Sequence, residues 1–461
     1  MGTQLRSIAN ATRPVNRLPQ DVLNEIFSLF HPRTLRRYLP LVHATHVCHL
    51  WRNIILSTPN NWTWISPTCG DLLPLLLRRS EPAPIEVDIS DLGKFNTGFI
   101  DNLLPHCKRF VSFTMIVSVT TIGFCSRVAS MPNLRVLSIT TGLGIPSYPL
   151  PFLSGSMPHL KSIILPFFVC WKQVVQLAHL TAINITVHHS SLTNVVQLFA
   201  NNPKLTTASL SGSFRETECQ RHRSTARMNH LRQLDLLSWN ATSLLPFLVL
   251  NINAHILLRP SSALGIGDTL YLPLINPTSF PNLANLQKLH CHIRSDETSV
   301  KFTGPNGSLS ILLPYPETHV STRSFLPVGS IEELYMESNR TPVMAYMQGP
   351  SRVISSLIPT MNQLRKVTFA TCPNFIIHIV LSKINRVSPL KAITLLHCDH
   401  RDPYGYDDIL HKIFLFAKGR VSIDAKLEEV RVISRTCAQQ GQPPNHKLIM
   451  EVVESLVLLD Q

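Results

Sequence analysis

A short hydrophobic pattern recurs along most of the chain and restricts the folds it can adopt. A leucine or isoleucine is followed three and five residues later by further apolar residues, as in Leu134-Arg-Val-Leu137-Ser-Ile139. Clear copies begin at Leu134, Leu160, Leu205, Leu231, Ile331, Leu364 and Leu390, and the first two, like the next two and the last two, are 26 residues apart. Apolar residues that alternate over so short a segment predict a β-strand with one buried face.

A single unit of this length cannot bury its own apolar face, so it has to stack on its neighbours. The period and the pattern resemble those of leucine-rich repeats. The resemblance implies an α/β fold over residues 68–439, an irregular solenoid whose parallel strands line the concave side. Helical patterns between strands, at 192–200 and 353–358, suit the segments that return to the next strand.

Two further features of the repeats predict local structure: a small or polar residue after some strands, and interruptions of the array. A small or polar residue follows the last hydrophobic residue of three copies by three positions, at Asn339, Cys372 and Cys398. Such a side chain should pair with backbone in a tight corner. The array is also interrupted near 259–280 and 294–330, where we expect exposed loops that are candidates for target recognition.

The segment preceding the repeats, residues 14–67, has helical rather than alternating spacing. Apolar residues at 22, 23, 26, 27 and 30, and again at 47, 50, 51, 54 and 55, each describe one face of a short helix. Pro59 ends the second pattern, and we expect a loop or short helix at 62–65. So short a segment makes a marginal core, and its surplus apolar surface must meet the rest of the chain or a partner.

The two halves of this segment, Leu18-Pro19-x-x-Val22-Leu23-x-x-Ile26-Phe27 and Val47-Cys48-x-x-Trp51-Arg52-x-x-Ile55, resemble an F-box. The tail Leu56-Ser57-Thr58-Pro59 with Trp62 resembles the variant found in mushroom-forming fungi. The resemblance implies docking on the Skp adaptor of a cullin-based ubiquitin ligase. It assigns ten residues to the docking surface or its core: Leu18, Pro19, Val22, Leu23, Ile26, Phe27, Val47, Cys48, Trp51 and Ile55.

The charge balance leaves a second class of partner open. The formal net charge is +14, which could favour nucleic acid or an acidic protein. The densest basic group, Arg221, Arg223, Arg227 and Arg232, has no interleaved aromatic residues for base stacking. We therefore favour a solvated surface over nucleic-acid binding, which remains an alternative.

The sequence offers no pattern that predicts catalysis, a cofactor or a metal. His290-Cys291-His292 and His397-Cys398-Asp399-His400 are the best metal candidates, but neighbouring residues of a strand point to opposite faces and cannot easily converge. Gly265-Ile266-Gly267-Asp268 lacks the setting of a nucleotide loop, and Asp407-Asp408 has no clear partner base. We expect a non-catalytic protein.

The sequence also shows no recognisable targeting signal. No signal peptide or long apolar run is apparent, and the ten cysteines form no Cys-x-x-Cys pair. We therefore expect a cytoplasmic or nuclear protein without a membrane span. Residues 1–13 are expected to be a tail, and 446–460 an amphipathic helix that caps the last repeat within a C-terminal segment 440–461.

Together these features predict a substrate receptor, in which the helical segment binds the adaptor and thereby a cullin, and the repeats bind a target protein that the sequence does not identify. An interaction scaffold without a ubiquitin role is the main alternative.

Overall fold

The structure is a computed structural model whose two compact units, residues 1–187 and 188–461, are described separately. It describes residues 12–30, 38–90, 97–117, 127–128, 130–141, 157–165, 171–190, 192–214, 225–237, 240–259, 269–271, 280–294, 297–314, 319–321, 328–338, 357–384, 388–397, 405–423, 425–434 and 446–460.

The first unit places a helical module before a set of strands. Its α-helices are α1 (Gln20–Ser28), α2 (Tyr38–Thr45), α3 (His49–Ser57), α4 (Leu73–Arg79), α5 (Thr97–Leu103) and α6 (Trp171–Val174). Short 3-10 helices cover Pro14–Arg17, Pro59–Trp62, Pro67–Leu72 and Leu104–Arg109. Its strands are β1 (Trp64–Ile65), β2 (Ile85–Ile89), β3 (Phe110–Val117), β4 (Val136–Thr141), β5 (Ser162–Leu165) and β6 (Ala182–Ser190), the last of which crosses the boundary between the units.

The strands of this unit pair in sequence order, and each of these pairs is parallel. The register aligns Phe113, Leu137 and Ile163 on β3, β4 and β5, and all three are fully buried. The predicted strands at 134–139 and 160–165 are therefore confirmed, with the spaced apolar residues on the buried face. Stacking aligns one such residue per strand, which explains why the pattern recurs.

The second unit contains the remaining described elements. Its α-helices are α7 (Leu192–Asn201), α8 (Asn374–Lys383), α9 (Gly405–Val421) and α10 (His446–Met450), and its 3-10 helices are Asn240–Phe247, Pro281–Leu283, Val328–Ser330 and Ile358–Thr360. Its strands are β7 (Thr207–Phe214), β8 (Ala226–Met228), β9 (Gln233–Leu237), β10 (Leu248–Leu250), β11 (His255–Leu258), β12 (Thr269–Tyr271), β13 (Lys288–Ile293), β14 (Glu297–Thr303), β15 (Ser308–Pro314), β16 (His319–Ser321), β17 (Glu333–Ser338), β18 (Lys366–Ala370), β19 (Ala392–Leu396), β20 (Leu427–Ser434) and β21 (Val453–Asp460).

The main sheet of this unit is mostly parallel. Its hydrogen-bonded order is β7, β9, β11, β15, β14, β13, β17, β18, β19, β20, β21, and β14 is antiparallel to both of its neighbours. The expectation of an exposed loop over 294–330 is therefore wrong for 297–314, because this insertion adds a hairpin to the sheet. Hydrogen bonding to strands on both sides offsets the entropy of ordering the insertion.

The turn of this hairpin gives a test of the fold. A Cβ atom added at Gly304 would lie 2.4 Å from the carbonyl oxygen of Asn285, a backbone atom that cannot rotate away. We expect Gly304→Ala to lower the free energy of unfolding by about 1–3 kcal/mol. Gly329→Ala is the control, since its nearest neighbour would be 3.8 Å away. Equal urea midpoints for the two variants would contradict the packing at this turn.

The corner residue at Cys372 behaves as expected. Its thiol donates a hydrogen bond of 3.3 Å to the carbonyl of Met336 on β17, within the buried interior. The preceding residue, Thr371, has a positive φ of 50° and turns the chain away from β18. The matching positions Asn339 and Cys398 lie outside the described residues.

The C-terminal segment differs from its prediction. The helix expected over 446–460 ends at Met450, and Val453–Asp460 forms β21, parallel to β20. A short apolar run fits either period, and here the backbone groups of β20 offered a ladder of hydrogen bonds that a helix would have left unpaired. The predicted helix at 192–200 is confirmed as α7, whereas 353–356 lie outside the described residues.

Candidate functional site

Helix α1 separates the apolar residues of its sequence into two environments. Pro19 precedes the helix in an extended conformation. Asp21 lies in the first turn, where its carboxylate interacts favourably with the positive end of the helix dipole. Leu23 and Phe27, one turn apart, are 1% and 0% exposed. Val22 is 39% exposed, so apolar side chains lie on both the inner and the outer face of α1.

Trp51 on helix α3 connects the parts of the module. Its ring meets that of Phe27 edge-on, with the centroids 5.2 Å apart. Its indole Nε1 donates a hydrogen bond of 2.7 Å to the Oδ1 atom of Asn16, and its backbone N–H donates to the Cys48 sulfur that caps α3. Trp51 therefore holds α1, α3 and the preceding 3-10 helix together while its side chain is only half-buried.

The tail of the module is buried by the chain itself. The indole Nε1 of Trp62 donates a hydrogen bond of 3.0 Å to the carbonyl of Ile55, and the guanidinium of Arg79 lies 4.9 Å from the Trp62 ring centre. Trp64–Ile65 forms β1 and pairs with β2, so the loop or short helix expected there is a strand. The apolar residues of this tail are thus covered inside the first unit.

Other apolar residues of the module face solvent. Fifteen large apolar residues among the described ones are exposed, and eight of them lie between positions 15 and 50. We call these eight the exposed apolar set: Val15, Leu18, Val22, Leu29, Phe30, Val42, Val47 and Leu50. Exposed apolar residues scattered singly are normal, but such a concentration in one small module marks an interaction surface.

The ten residues that the F-box resemblance assigned to docking fall into three groups. Leu18, Pro19, Val22 and Val47 are exposed, whereas Ile26, Cys48 and Trp51 are half-buried. Leu23, Phe27 and Ile55 are buried in the module. The assigned residues therefore include both a surface and the core beneath it.

Sequence reasoning did not assign five members of the exposed apolar set, namely Val15, Leu29, Phe30, Val42 and Leu50. Helix α2 carries Val42 and had not been predicted as a helix. Leu29 lies seven residues after Val22, a spacing that places both on one side of an ideal helix, although Leu29 itself comes one residue after α1 ends. That spacing was a usable signal, but exposure was not readable from it.

Comparison with protein families decides what kind of module this is. The model of the F-box domain matches residues 15–63, which span α1, α2, α3 and the 3-10 helix that buries Trp62. Residues 15–63 are similar to the F-box domain. No curated protein matches the chain significantly. The exposed apolar set lies wholly within this F-box, and the match supports an F-box protein.

The residues of the candidate metal site on β13 lie in different environments. His290 and His292 project from the outward face of β13, whereas Cys291 is fully buried on the other face, where desolvation raises its thiol pKa to about 12. His290 instead packs edge-on against the Tyr335 ring, with centroids 4.2 Å apart. Among the described residues no group of three or more His, Cys, Asp or Glu side chains could hold a metal.

The carboxylate pair and the basic group named in the sequence analysis have the surroundings of surface residues where they are described. Asp408 pairs with Lys412 one helical turn away on α9, at 2.6 Å. Arg227 and Arg232 are exposed, while Arg221 and Arg223, residues 265–268 and residues 398–400 lie outside the described part. None of the described helices is long and apolar enough to cross a membrane.

Proposed function

We propose that this chain is a substrate-receptor subunit of a Skp–cullin–F-box ubiquitin ligase. The observation that carries the proposal is the exposed apolar set, which lies entirely within the matched F-box. An F-box domain suggests an adaptor role in such ligases, and apolar residues left in solvent require a partner that covers them. The partner proposed for this surface is the Skp adaptor, and through it a cullin.

The burial of the assigned residues separates those that would contact the adaptor from those that would support the contact surface. Leu18, Pro19, Val22 and Val47 contact the adaptor directly, with half-buried Ile26, Cys48 and Trp51 at the margin. Leu23, Phe27 and Ile55 act indirectly, because they fix the angle between α1 and α3 from within the core. The tail with half-buried Thr58 and Pro59 and buried Trp62 supports the variant found in mushroom-forming fungi, which the sequence resembles.

The remaining chain is proposed to hold the target. Strands that pair in parallel and in sequence order, as β1 to β6 and β17 to β21 do, support a leucine-rich-repeat-like solenoid over about residues 68–439. The chain would contribute no chemistry of its own. It would raise the effective concentration of the target near the ubiquitin-transfer machinery.

The adaptor test places charges on the proposed surface without disturbing the core. We expect the double variant Val22→Asp, Val47→Asp to weaken adaptor binding by about 100-fold or more, since two carboxylates would lose their hydration in an apolar interface. Both positions are exposed, so the melting temperature should change little. Binding of purified adaptor to the full chain would be measured by calorimetry.

The matched control is Ile252→Asp, Ile423→Asp, which alters two residues of similar exposure, 44% and 46%, outside the F-box. It should bind the adaptor like the wild type. Failure of the wild type to bind at micromolar adaptor would refute the receptor proposal. Adaptor binding without accelerated turnover of any cellular protein would favour the scaffold alternative.

A further inference from the structure

A long part of the chain has no acidic residue. Residues 102–215, about a quarter of the sequence, contain no Asp or Glu, although the whole chain has 28. The same stretch contains eight Lys and Arg residues: Lys108, Arg109, Arg127, Arg135, Lys161, Lys172, Lys204 and Arg215. A surface built from it cannot neutralise its own cations and depends on carboxylates from elsewhere.

Two of these cations already have such a carboxylate. Arg127 pairs with Asp101 at 2.8 Å, and Arg109 lies 3.8 Å from Glu81. Arg109 is also held by carbonyls and by Ser80, and burial lowers the pKa of its guanidinium. These two arginines serve the structure of the first unit.

The fold brings three others to one edge of the sheet. Arg135 and Lys161 immediately precede β4 and β5, and the backbone N–H of Lys161 donates to the carbonyl of Arg135 at 2.8 Å. The carbonyl of Lys108, before β3, accepts a hydrogen bond of 2.7 Å from the side chain of Asn133. The three side chains are exposed. Arg135 and Lys161 are in register at the starts of β4 and β5, which lie about 4.8 Å apart, and Lys108 belongs to the 3-10 helix Leu104–Arg109 that leads into β3.

We call Lys108, Arg135 and Lys161 the basic edge. Like charges side by side on neighbouring strands destabilise a sheet, so the alignment of Arg135 with Lys161 has a cost. No ion pair among the described residues involves any of the three. Glu86 and Asp88 are the nearest carboxylates in the strand order, and they lie on β2, on the far side of β3 from Arg135.

We propose that the basic edge binds an acidic segment of a partner protein. Side chains on the outward face beside it are small or apolar, with Ser112, Val136 and Ser162 in register across β3, β4 and β5. Val136 is 37% exposed and gives an extended polypeptide an apolar contact next to the charges. If the chain is a substrate receptor, as proposed above, this partner is its target. The binding of an acidic segment does not depend on that function; only the role of the partner as a target rests on it.

The surroundings favour a polypeptide over nucleic acid. A single strand needs exposed aromatic rings on which its bases can stack, and Phe110 and Phe113, the aromatic residues of β3, are fully buried. Three cations at one edge are also a narrow match for the two phosphate backbones of a duplex. Carboxylates at alternate positions of an extended chain all project to one side and can meet the aligned pair Arg135 and Lys161.

The test uses the full chain with its adaptor and a fluorescein-labelled peptide of alternating glutamate and serine. We expect binding at about 50 mM salt that weakens as salt rises. Arg135→Glu, Lys161→Glu should weaken it by about tenfold or more, since two attractive contacts become repulsive. Lys383→Glu, an exposed cation at the end of α8 in the second unit, is the matched control and should change little.

The outcomes are separable. Equal affinity of the wild type and the double variant overturns the proposal, as does a peptide with glutamine in place of glutamate that binds equally well. Tighter binding of an oligothymidine strand, lost in the same variant, replaces the polypeptide with nucleic acid. Adaptor affinity is measured in each sample, so a failure of the basic edge is distinct from a failure of the F-box.

Discussion

Replacing Phe27 with alanine is expected to lower the free energy of unfolding of the F-box by about 3–5 kcal/mol. The side chain is completely buried, and its ring is the edge-on partner of Trp51. Its removal leaves a cavity in a small core and releases the contact between α1 and α3. Urea unfolding of the full chain, with amide exchange of residues 20–57, would measure the loss.

The control lies three residues further along the chain. Phe30 is 39% exposed, and Phe30→Ala should cost no more than about 0.5 kcal/mol. Comparable losses in the two variants would contradict the orientation of α1. Phe27→Ala should lower both the adaptor affinity and the free energy of unfolding. The double variant Val22→Asp, Val47→Asp should lower the adaptor affinity and leave the free energy of unfolding nearly unchanged.

Replacing Arg420 with methionine is expected to destabilise the second unit by roughly 2–5 kcal/mol, because buried carbonyls lose their donors. Arg420 lies at the end of α9, is 1% exposed, and burial lowers its pKa. Its guanidinium donates to the carbonyls of Ser388, Leu390 and Ala425 at 2.8 to 3.0 Å. It therefore fixes the turn after α9 to the segment that leads into β19.

Two controls separate the geometry of this contact from its charge. Arg420→Lys keeps the charge but not the planar fork of donors, and it should recover only part of the loss. Lys418→Met removes an exposed cation two residues away and should be nearly neutral in chemical denaturation. Full rescue by lysine would show that charge alone matters at this position.

Much of the module and of the sheet was predictable because local periodicity reports burial. The spacing of Leu23 and Phe27 predicted a helix, and the Leu134 pattern predicted a strand with a buried face. The C-terminal run was less decisive, because its apolar residues satisfy both helical and strand spacing. There β20 decided the outcome by supplying a backbone partner for β21.

The amino-acid order is enough to predict that short buried strands recur and that an F-box-like helical segment precedes them, since both are encoded in the spacing of apolar residues along a few turns or strands. It also determined that residues 102–215 carry cations without carboxylates. The three-dimensional fold, in contrast, sets which apolar residues of the F-box are exposed, because burial depends on neighbours distant in sequence, such as Asn16 against Trp51 and Arg79 against Trp62. It likewise aligned Arg135 with Lys161, because positions 26 residues apart become neighbours only when their strands pair in register, and it brought Lys108 to the same edge through the contact of its carbonyl with Asn133.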